Sequence, residues 1–170
     1  TDFSGVASGT GGITKVGTGS QTLSGANTYT GQTLIRGGKL LVGGSLSDLT
    51  SISVDNGAIY ELSANDRVGA VGGAGAISLN EFRLTVGNDQ NTTFSGIASG
   101  TGGITKVGSG TLTLTGVNTY SGSTEVNEGV LTVQGSDPQQ ATCAVGASSN
   151  ICTAPTPQPT PAPTPEPTPE

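Results

Sequence analysis

The sequence contains no methionine, tryptophan or histidine, and aromatic residues make up only 4% of its 170 residues. Without histidine, the commonest general base for nucleophilic catalysis is missing. A zinc site would have only two cysteines to draw on and would need two further ligands. Few large side chains remain to fill a thick core. The composition therefore predicts a flat architecture, in which small aliphatic and β-branched side chains stack in a narrow column.

Charged residues are also scarce, at 11%, against about 25% in an ordinary globular domain. The net charge is −6, and the six cations are far apart in the sequence: Lys15, Arg36, Lys39, Arg67, Arg83 and Lys106. Nucleic-acid binding needs clustered cations that neutralise phosphates, so we expect no nucleic-acid partner. The longest apolar stretches span only a few residues, which predicts no transmembrane segment in this chain. Thr1 lies in the middle of a pattern and follows no signal segment, so we expect a fragment or a processed product.

An internal repeat is the strongest positive feature of the sequence. Residues 3–42 return as residues 94–133, at an offset of 91 residues, with 26 of the 40 aligned positions identical. Such repetition favours a solenoid, because equivalent positions of successive coils stack like on like. With coils of about 20 to 25 residues, the repeat unit would hold about four coils. Residues 1–135 would then form a rod about 30 Å long.

The short segments of alternating apolar and polar residues predict strands, and no segment has the 3.6-residue period of a helix. The predicted strands are residues 12–16, 33–36, 40–42, 51–54, 58–62, 76–79, 83–86, 93–97, 103–107, 111–115 and 130–133. Asn56-Gly57 is a typical signal of a type I′ hairpin and supports an alternative, a sandwich or meander of antiparallel strands. We favour the parallel solenoid because of the repeat.

The repeated string resembles the passenger-associated repeat of bacterial autotransporters. In the second copy the matching positions are Gly100, Gly102, Gly103, Ile104, Lys106, Gly108, Thr111, Leu112, Leu114, Gly116, Asn118, Tyr120, Gly122, Gly129, Leu131 and Val133. The first copy matches over residues 9–42, with Gln21 in place of Leu112. The resemblance implies an all-β, right-handed parallel β-helix over residues 1–135.

The same resemblance implies a structural function. The chain would be a stalk or spacer segment of a secreted or surface-displayed passenger of a Gram-negative bacterium, and would aid passenger export and folding. Its partners would be the remainder of the passenger and a C-terminal β-barrel translocator. Its location would be extracellular, on the bacterial cell surface. Another region of the protein would attach it to the outer membrane. No enzyme activity, catalytic residue, cofactor or metal site is expected.

The C-terminal region has a different composition. Residues 136–154 form a short segment with Cys143 and Cys152, which we expect to form a disulfide in an oxidising compartment. Residues 155–170 have proline at every second position and predict a disordered, extended Pro/Thr-rich linker.

Several polar residues are candidates for a functional site. Lys15 and Lys106, Asn27 and Asn118, and Tyr29 and Tyr120 occupy equivalent repeat positions, and we interpret them as stacked or capping residues, with a ligand-binding role for the tyrosines as the minor alternative. Asp55, Glu61 and Asp66 are interpreted as solvated surface charge. As a competing function, the solenoid face would make the chain an adhesin module that binds glycans, matrix or other cells. Ice binding by threonines 111, 113 and 115 and a polysaccharide-cleaving enzyme rank lower.

Overall fold

The computed structural model describes residues 1–135 and the backbone of residues 152–153. This part of the chain is an all-β solenoid of about seven coils, in which all paired strands are parallel. The described residues contain no helix, and hence none that is long and apolar enough to cross a membrane. The predicted parallel β-helix is therefore confirmed. Apart from residues 152–153, the Cys-containing segment 136–154 and the linker 155–170 lie outside the described residues, and their assignments stay predictions.

Eighteen strands, numbered in chain order, form the three sides of the solenoid within this described part. Sheet 1 contains β1 (Asp2–Phe3), β3 (Ser20–Leu23), β5 (Lys39–Val42), β7 (Ile59–Leu62), β10 (Ala76–Asn80) and β13 (Ile97–Gly100). Sheet 2 contains β2 (Ile13–Lys15), β4 (Thr33–Ile35), β6 (Ser51–Val54), β9 (Ala70–Gly73), β12 (Thr92–Phe94), β15 (Thr111–Leu114), β17 (Val130–Val133) and β18 (Cys152–Thr153). Sheet 3 contains β8 (Asp66–Val68), β11 (Leu84–Val86), β14 (Ile104–Lys106) and β16 (Thr124–Val126).

The core is a narrow column of stacked side chains, as the composition predicts. In sheet 1, Leu40, Tyr60 and Ile77 lie directly above one another and are fully buried. Their chain neighbours point outward, because successive side chains of a strand alternate between the two faces of the sheet. Each aliphatic side chain buried in this way contributes about 1.5–3 kcal/mol to stability. The stack of coils, with a strand spacing of about 4.8 Å, makes the solenoid about 34 Å long.

The coils of the solenoid differ slightly in length. Ile59 pairs with Ala76, and Ala76 pairs in turn with Ile97, so the second of these two coils is the longer. Asn56-Gly57 lies between β6 of sheet 2 and β7 of sheet 1, so it turns a corner of the coil and forms no hairpin. The antiparallel alternative is therefore wrong. The predicted strand 93–97 is in fact two strands, β12 and β13, on two sides of the coil.

The two repeat copies occupy different sides of the solenoid. Ile13–Lys15 is in sheet 2, whereas the identical Ile104–Lys106 is in sheet 3; likewise Ser20–Leu23 is in sheet 1 and Thr111–Leu114 in sheet 2. The cause is that the offset between the copies is not a whole number of coils. Ser20 and Ile97 lie four coils apart on the same side, sheet 1. From Ile97 the chain passes along sheet 3 and then reaches sheet 2 at Thr111, the equivalent of Ser20. Local pairing is nevertheless the same in both copies, since Ile13 pairs with Thr33 and Ile104 with Thr124.

Candidate functional site

The lysine of each copy binds backbone carbonyls at a corner of the coil. Lys106 Nζ donates to the carbonyl oxygens of Val107 (2.5 Å), Gly108 (2.7 Å) and Glu128 (3.4 Å). The last of these belongs to the following coil, so the ammonium joins two turns. Lys15 makes the same three bonds, to residues 16, 17 and 37, at 2.8, 3.0 and 2.9 Å. Burial lowers the pKa of Lys106, and the nearby Glu128 raises it.

The asparagine of each copy joins one coil to the coil before it. Asn118 Oδ1 accepts the amide of Ala98 at 3.0 Å, and Asn27 Oδ1 accepts the amide of Ala7 at the same distance. Each asparagine also donates through Nδ2 to the carbonyl two residues before it, in Gly116 or Gly25. Because both halves of the amide are bonded to backbone, this side chain fixes the spacing of adjacent coils.

The tyrosines of the repeats are core residues. Tyr29 and Tyr120 are 2% and 0% exposed, and their hydroxyls lie 2.6 Å from the hydroxyls of Thr33 and Thr124. Burial raises the pKa of Tyr29, against the opposing effect of the Thr33 hydrogen bond. Neither ring reaches the surface, so the structure leaves them no role in ligand binding. The interpretation of the lysine, asparagine and tyrosine pairs as capping and stacked residues is confirmed.

The interpretation of Asp66 as a solvated charge is wrong. Asp66 is only 4% exposed, and its carboxylate accepts the amides of Leu46 and Arg67, each at 3.0 Å, and the hydroxyl of Tyr60 at 2.7 Å. The bond to Leu46 has the same geometry as the bonds of Asn27 and Asn118 to the preceding coil. Burial raises the pKa of Asp66, the three hydrogen bonds lower it, and Asp48 raises it. Asp55 is exposed and Glu61 is paired with Lys39, as expected for surface charges.

Arg83 connects three successive coils on sheet 3. Its guanidinium donates to the hydroxyl of Thr105 (2.9 Å) and to that of Ser123 (2.8 Å), and it lies 3.2 Å from the carboxylate of Glu125. Sequence reasoning missed this residue because its partners lie one and two coils further along the chain. Gln32 and Leu34 stand where the second copy has Ser123 and Glu125, so the first copy has no equivalent cluster.

Comparison with known proteins agrees with this repeat-based arrangement. Residues 13–42 and 104–133 match the family described as passenger-associated-transport-repeat. Each copy of the repeat is thus similar to the passenger-associated-transport-repeat over 30 residues. The adhesin BmaC autotransporter of Brucella suis biovar 1 (strain 1330) is 36% identical over 113 residues, which is 64% of this chain and 3% of that protein. An extracellular serine protease of Serratia marcescens is 48% identical over 56 residues, 33% of this chain and 5% of the protease. The chain thus spans only a small part of the relatives it matches. No solved structure gives a significant match.

The buried polar residues of the two repeats are occupied by contacts within the fold. In the described part of the chain, every buried side-chain nitrogen and oxygen has a hydrogen-bond partner. The same residues contain no group of three or more acidic, histidine or cysteine side chains that could hold a metal ion. The proposed disulfide partner Cys143 lies outside the described residues, so the Cys143–Cys152 bond stays a prediction.

The outer surface differs from one side of the solenoid to the next. Sheet 2 presents a row of threonines, Thr93, Thr113 and Thr132, in three successive coils. Sheet 1 instead presents the row Ile59, Ala76 and Ile97. A shallow groove of about 300 Å³ lies beside this apolar row, between the corners at residues 56–59 and 74–76. Ile97 lines the groove and is 49% exposed.

Proposed function

We propose that these residues form a stalk or spacer segment of a secreted or surface-displayed autotransporter passenger. The observation that carries the proposal is the use of the repeat side chains. Lys106, Asn118 and their first-copy equivalents each bond backbone groups of an adjacent coil, so the residues that define the repeat hold coils together. A rod built from such local contacts has a length set by the number of coils. The segment itself has no catalytic function, and protease or polysaccharide-cleaving activity of the purified chain would contradict this.

The segment also aids export and folding of the passenger. Each coil rests chiefly on the coil next to it, so a chain that leaves a narrow pore can fold one coil at a time. The partners of the segment are then the remainder of the passenger and a C-terminal translocator, and its location is outside the bacterial cell. The names of the relatives, an autotransporter adhesin and an extracellular protease, support this location.

Cell-surface display tests both parts of the proposal. The chain, with an epitope tag before Thr1, would be fused to an autotransporter translocator and compared with its Lys106→Met variant. Loss of the ammonium leaves three carbonyls without their donor, which destabilises the corner by about 2 kcal/mol. We expect less surface-exposed tag and faster cleavage by external protease. The conservative Lys106→Arg variant should fall between the two. Equal export and equal protease resistance of all three would contradict a role in export and folding.

The apolar row on sheet 1 favours a second function, that of an adhesin module. Ile59, Ala76 and Ile97 form a contiguous outward strip, and exposed apolar strips on soluble proteins mark interaction sites. The three tyrosines are buried, so the described surface has no tyrosine platform on which a sugar ring would stack, and a protein ligand fits better than a glycan. Val117 lies one coil beyond Ile97 and is 58% exposed.

A matched pair of variants separates the adhesin from the spacer. Ile97→Lys places a charge on the apolar row of sheet 1, and Thr113→Lys places the same charge on the polar row of sheet 2. An adhesin would lose attachment of displaying cells to matrix proteins or to other cells through the first change and keep it through the second. If cells that display the unchanged chain do not attach, or if both variants attach equally well, the adhesin function is contradicted and the spacer function is retained.

A further inference from the structure

The corner between β6 and β7 contains the dipeptide Asn56-Gly57, the only asparagine–glycine step in the sequence. Residues 55–58 form a tight turn that is closed by one hydrogen bond, from the Ala58 amide to the Asp55 carbonyl at 2.9 Å. Gly57 occupies the third position of this turn with φ +82°, a conformation that glycine adopts without steric cost. The turn explains the glycine, but it does not require an asparagine before it.

Two groups of this turn that can react with each other are free of contacts. The carboxamide of Asn56 and the amide N–H of Gly57 have no hydrogen-bond partner among the described residues, and both residues are exposed. A Cβ added to Gly57 would have no atom within 4 Å, whereas one added to Gly38 or Gly75, at the same corner of the adjacent coils, would lie 2.3 or 2.4 Å from a backbone oxygen. The peptide between Asn56 and Gly57 can therefore rotate without displacing a neighbouring coil.

The other asparagines of the described residues lack one or more of these features. Most of them use the side-chain amide in hydrogen bonds: Asn27, Asn65, Asn80, Asn88, Asn91 and Asn118. Asn127 is exposed and makes no such bond, but Glu128 follows it and carries a side chain next to its amide nitrogen. In this part of the chain, Asn56 is thus the one asparagine whose exposed, unbonded carboxamide stands beside a glycine amide.

We propose that Asn56 is a site of spontaneous chemical modification. The amide nitrogen of Gly57 attacks Cγ of Asn56, so that an N–C bond forms, the Cγ–Nδ2 bond breaks, and ammonia leaves with the proton of the Gly57 amide. Water then adds to one of the two carbonyls of the cyclic imide and opens the ring. One opening gives aspartate, and the other gives isoaspartate, whose main chain runs through the former side chain. The net reaction consumes one water and releases one ammonia, and it needs no enzyme, oxidant or reductant.

The modification changes the charge of a surface groove. Asn56 and Gly57 line the groove of about 300 Å³ beside the apolar row of sheet 1, together with Ile59 and Ile97. Both products place a carboxylate where the carboxamide was, one residue from the exposed Asp55. A groove that accepts an apolar partner in the new chain therefore acquires an anionic rim, and burial of that unpaired charge disfavours the same partner. The modification itself does not depend on the proposed stalk or adhesin function.

Incubation of the purified chain at mildly alkaline pH and physiological temperature tests the proposal. Peptide mass mapping should find the mass gain of deamidation at Asn56, in two products that separate chromatographically, with Asn127 modified at least about tenfold more slowly. A synthetic peptide of residues 52–60 supplies the rate without the fold. We expect the folded chain to react within about tenfold of the peptide, as for a site whose local opening costs almost no free energy. Stronger protection of Asn56 by the fold, or reaction at Asn127 as fast as at Asn56, would overturn the proposal.

Two substitutions separate the effect of the glycine from that of exposure. Glu128→Gly gives Asn127 a glycine neighbour, and modification of Asn127 should accelerate at least about tenfold. An unchanged rate at Asn127 would contradict the role assigned to the glycine amide. Asn56→Gln keeps a carboxamide but lengthens the side chain, so ammonia release should fall to the level of the remaining sites. Ammonia release equal to that of the native chain would mean that another residue is the source. Because both positions are exposed, circular dichroism should find the fold of both variants unchanged.

Discussion

At the scale of single residues, the repeat provides its own control for the effect of burial. Phe94 and Phe3 occupy equivalent positions, but only Phe94 is fully enclosed. Phe94→Ala should lower the free energy of unfolding by about 3–5 kcal/mol, the cost of removing a buried aromatic side chain and leaving a cavity. Phe3→Ala should cost about 1 kcal/mol, because nearly half of the ring is already in water. Urea unfolding of both variants checks this, and equal costs would contradict the difference in burial.

A second residue-scale prediction concerns Asp66 and pH. Burial raises the pKa of Asp66 above the value of 3.8 typical of an unfolded chain. The folded chain therefore binds this proton more tightly than the unfolded chain does. The contribution of Asp66 to stability is full below pH 3.8 and is lost as the pH rises through the pKa of the folded state. Asp66→Asn removes this titration, while the amide oxygen still accepts the Leu46 amide, as Asn27 and Asn118 do in their coils.

The measurement for Asp66 is the urea midpoint between pH 3 and pH 7. We expect the native chain to lose more stability over this range than Asp66→Asn does, and the variant to be the more stable of the two at pH 7. The control is Asp55→Asn, which removes a charge from an exposed position. If Asp66→Asn kept the same pH dependence as the native chain, the buried carboxyl would not be the cause.

At the scale of structural elements, the corners between strands need glycine where the backbones of adjacent coils come close together. At Gly116 a Cβ would lie 1.8 Å from the Gly96 carbonyl oxygen, whereas at Gly19 no atom lies within 4 Å of the added Cβ. Gly116→Ala should therefore push two coils apart and cost about 2–3 kcal/mol. Gly19→Ala should be neutral or slightly stabilising, because it reduces the freedom of the unfolded chain. Thermal unfolding compares the two, and equal Tm values would contradict the close stacking at this corner.

At the same scale, the sequence predicted strands whose alternation is regular and missed several short ones. The missed strands include the glycine-rich Ala70–Gly73 and also Ser20–Leu23, Asp66–Val68 and Thr124–Val126, which contain no glycine. Thr111–Leu114 was predicted because Leu112 and Leu114 alternate with threonine. Ala70–Gly73 was missed because Gly72-Gly73 is more typical of a loop, and only its neighbours in adjacent coils make it a strand. Asp66 was misassigned for a related reason: its partners Leu46 and Tyr60 become neighbours only when coils stack. Its alignment with Asn27, two coils earlier, was the available signal.

At the scale of the whole molecule, the offset of the repeat determines how the surface is arranged. The sequence shows that the two copies are related, but it does not show on which side of the solenoid each copy lies. That position depends on the length of each coil, and only the strand pairing reveals the coil lengths. A strand of the second copy lies two sides further around the solenoid than the equivalent strand of the first copy. Repeated outward residues, such as Val6 and Ile97, therefore lie on different sides.

Duplication of one unit tests this geometry. A second copy of residues 4–94 inserted after Phe94 keeps every junction of the repeat intact, and it adds four coils and two further sides. At a spacing of about 4.8 Å per coil, the rod should lengthen by about 22 Å. Small-angle X-ray scattering of the two chains measures the change in maximum dimension. An increase in thickness without an increase in length would mean that the inserted unit packs beside the solenoid, and stacking would then not follow from the repeat alone.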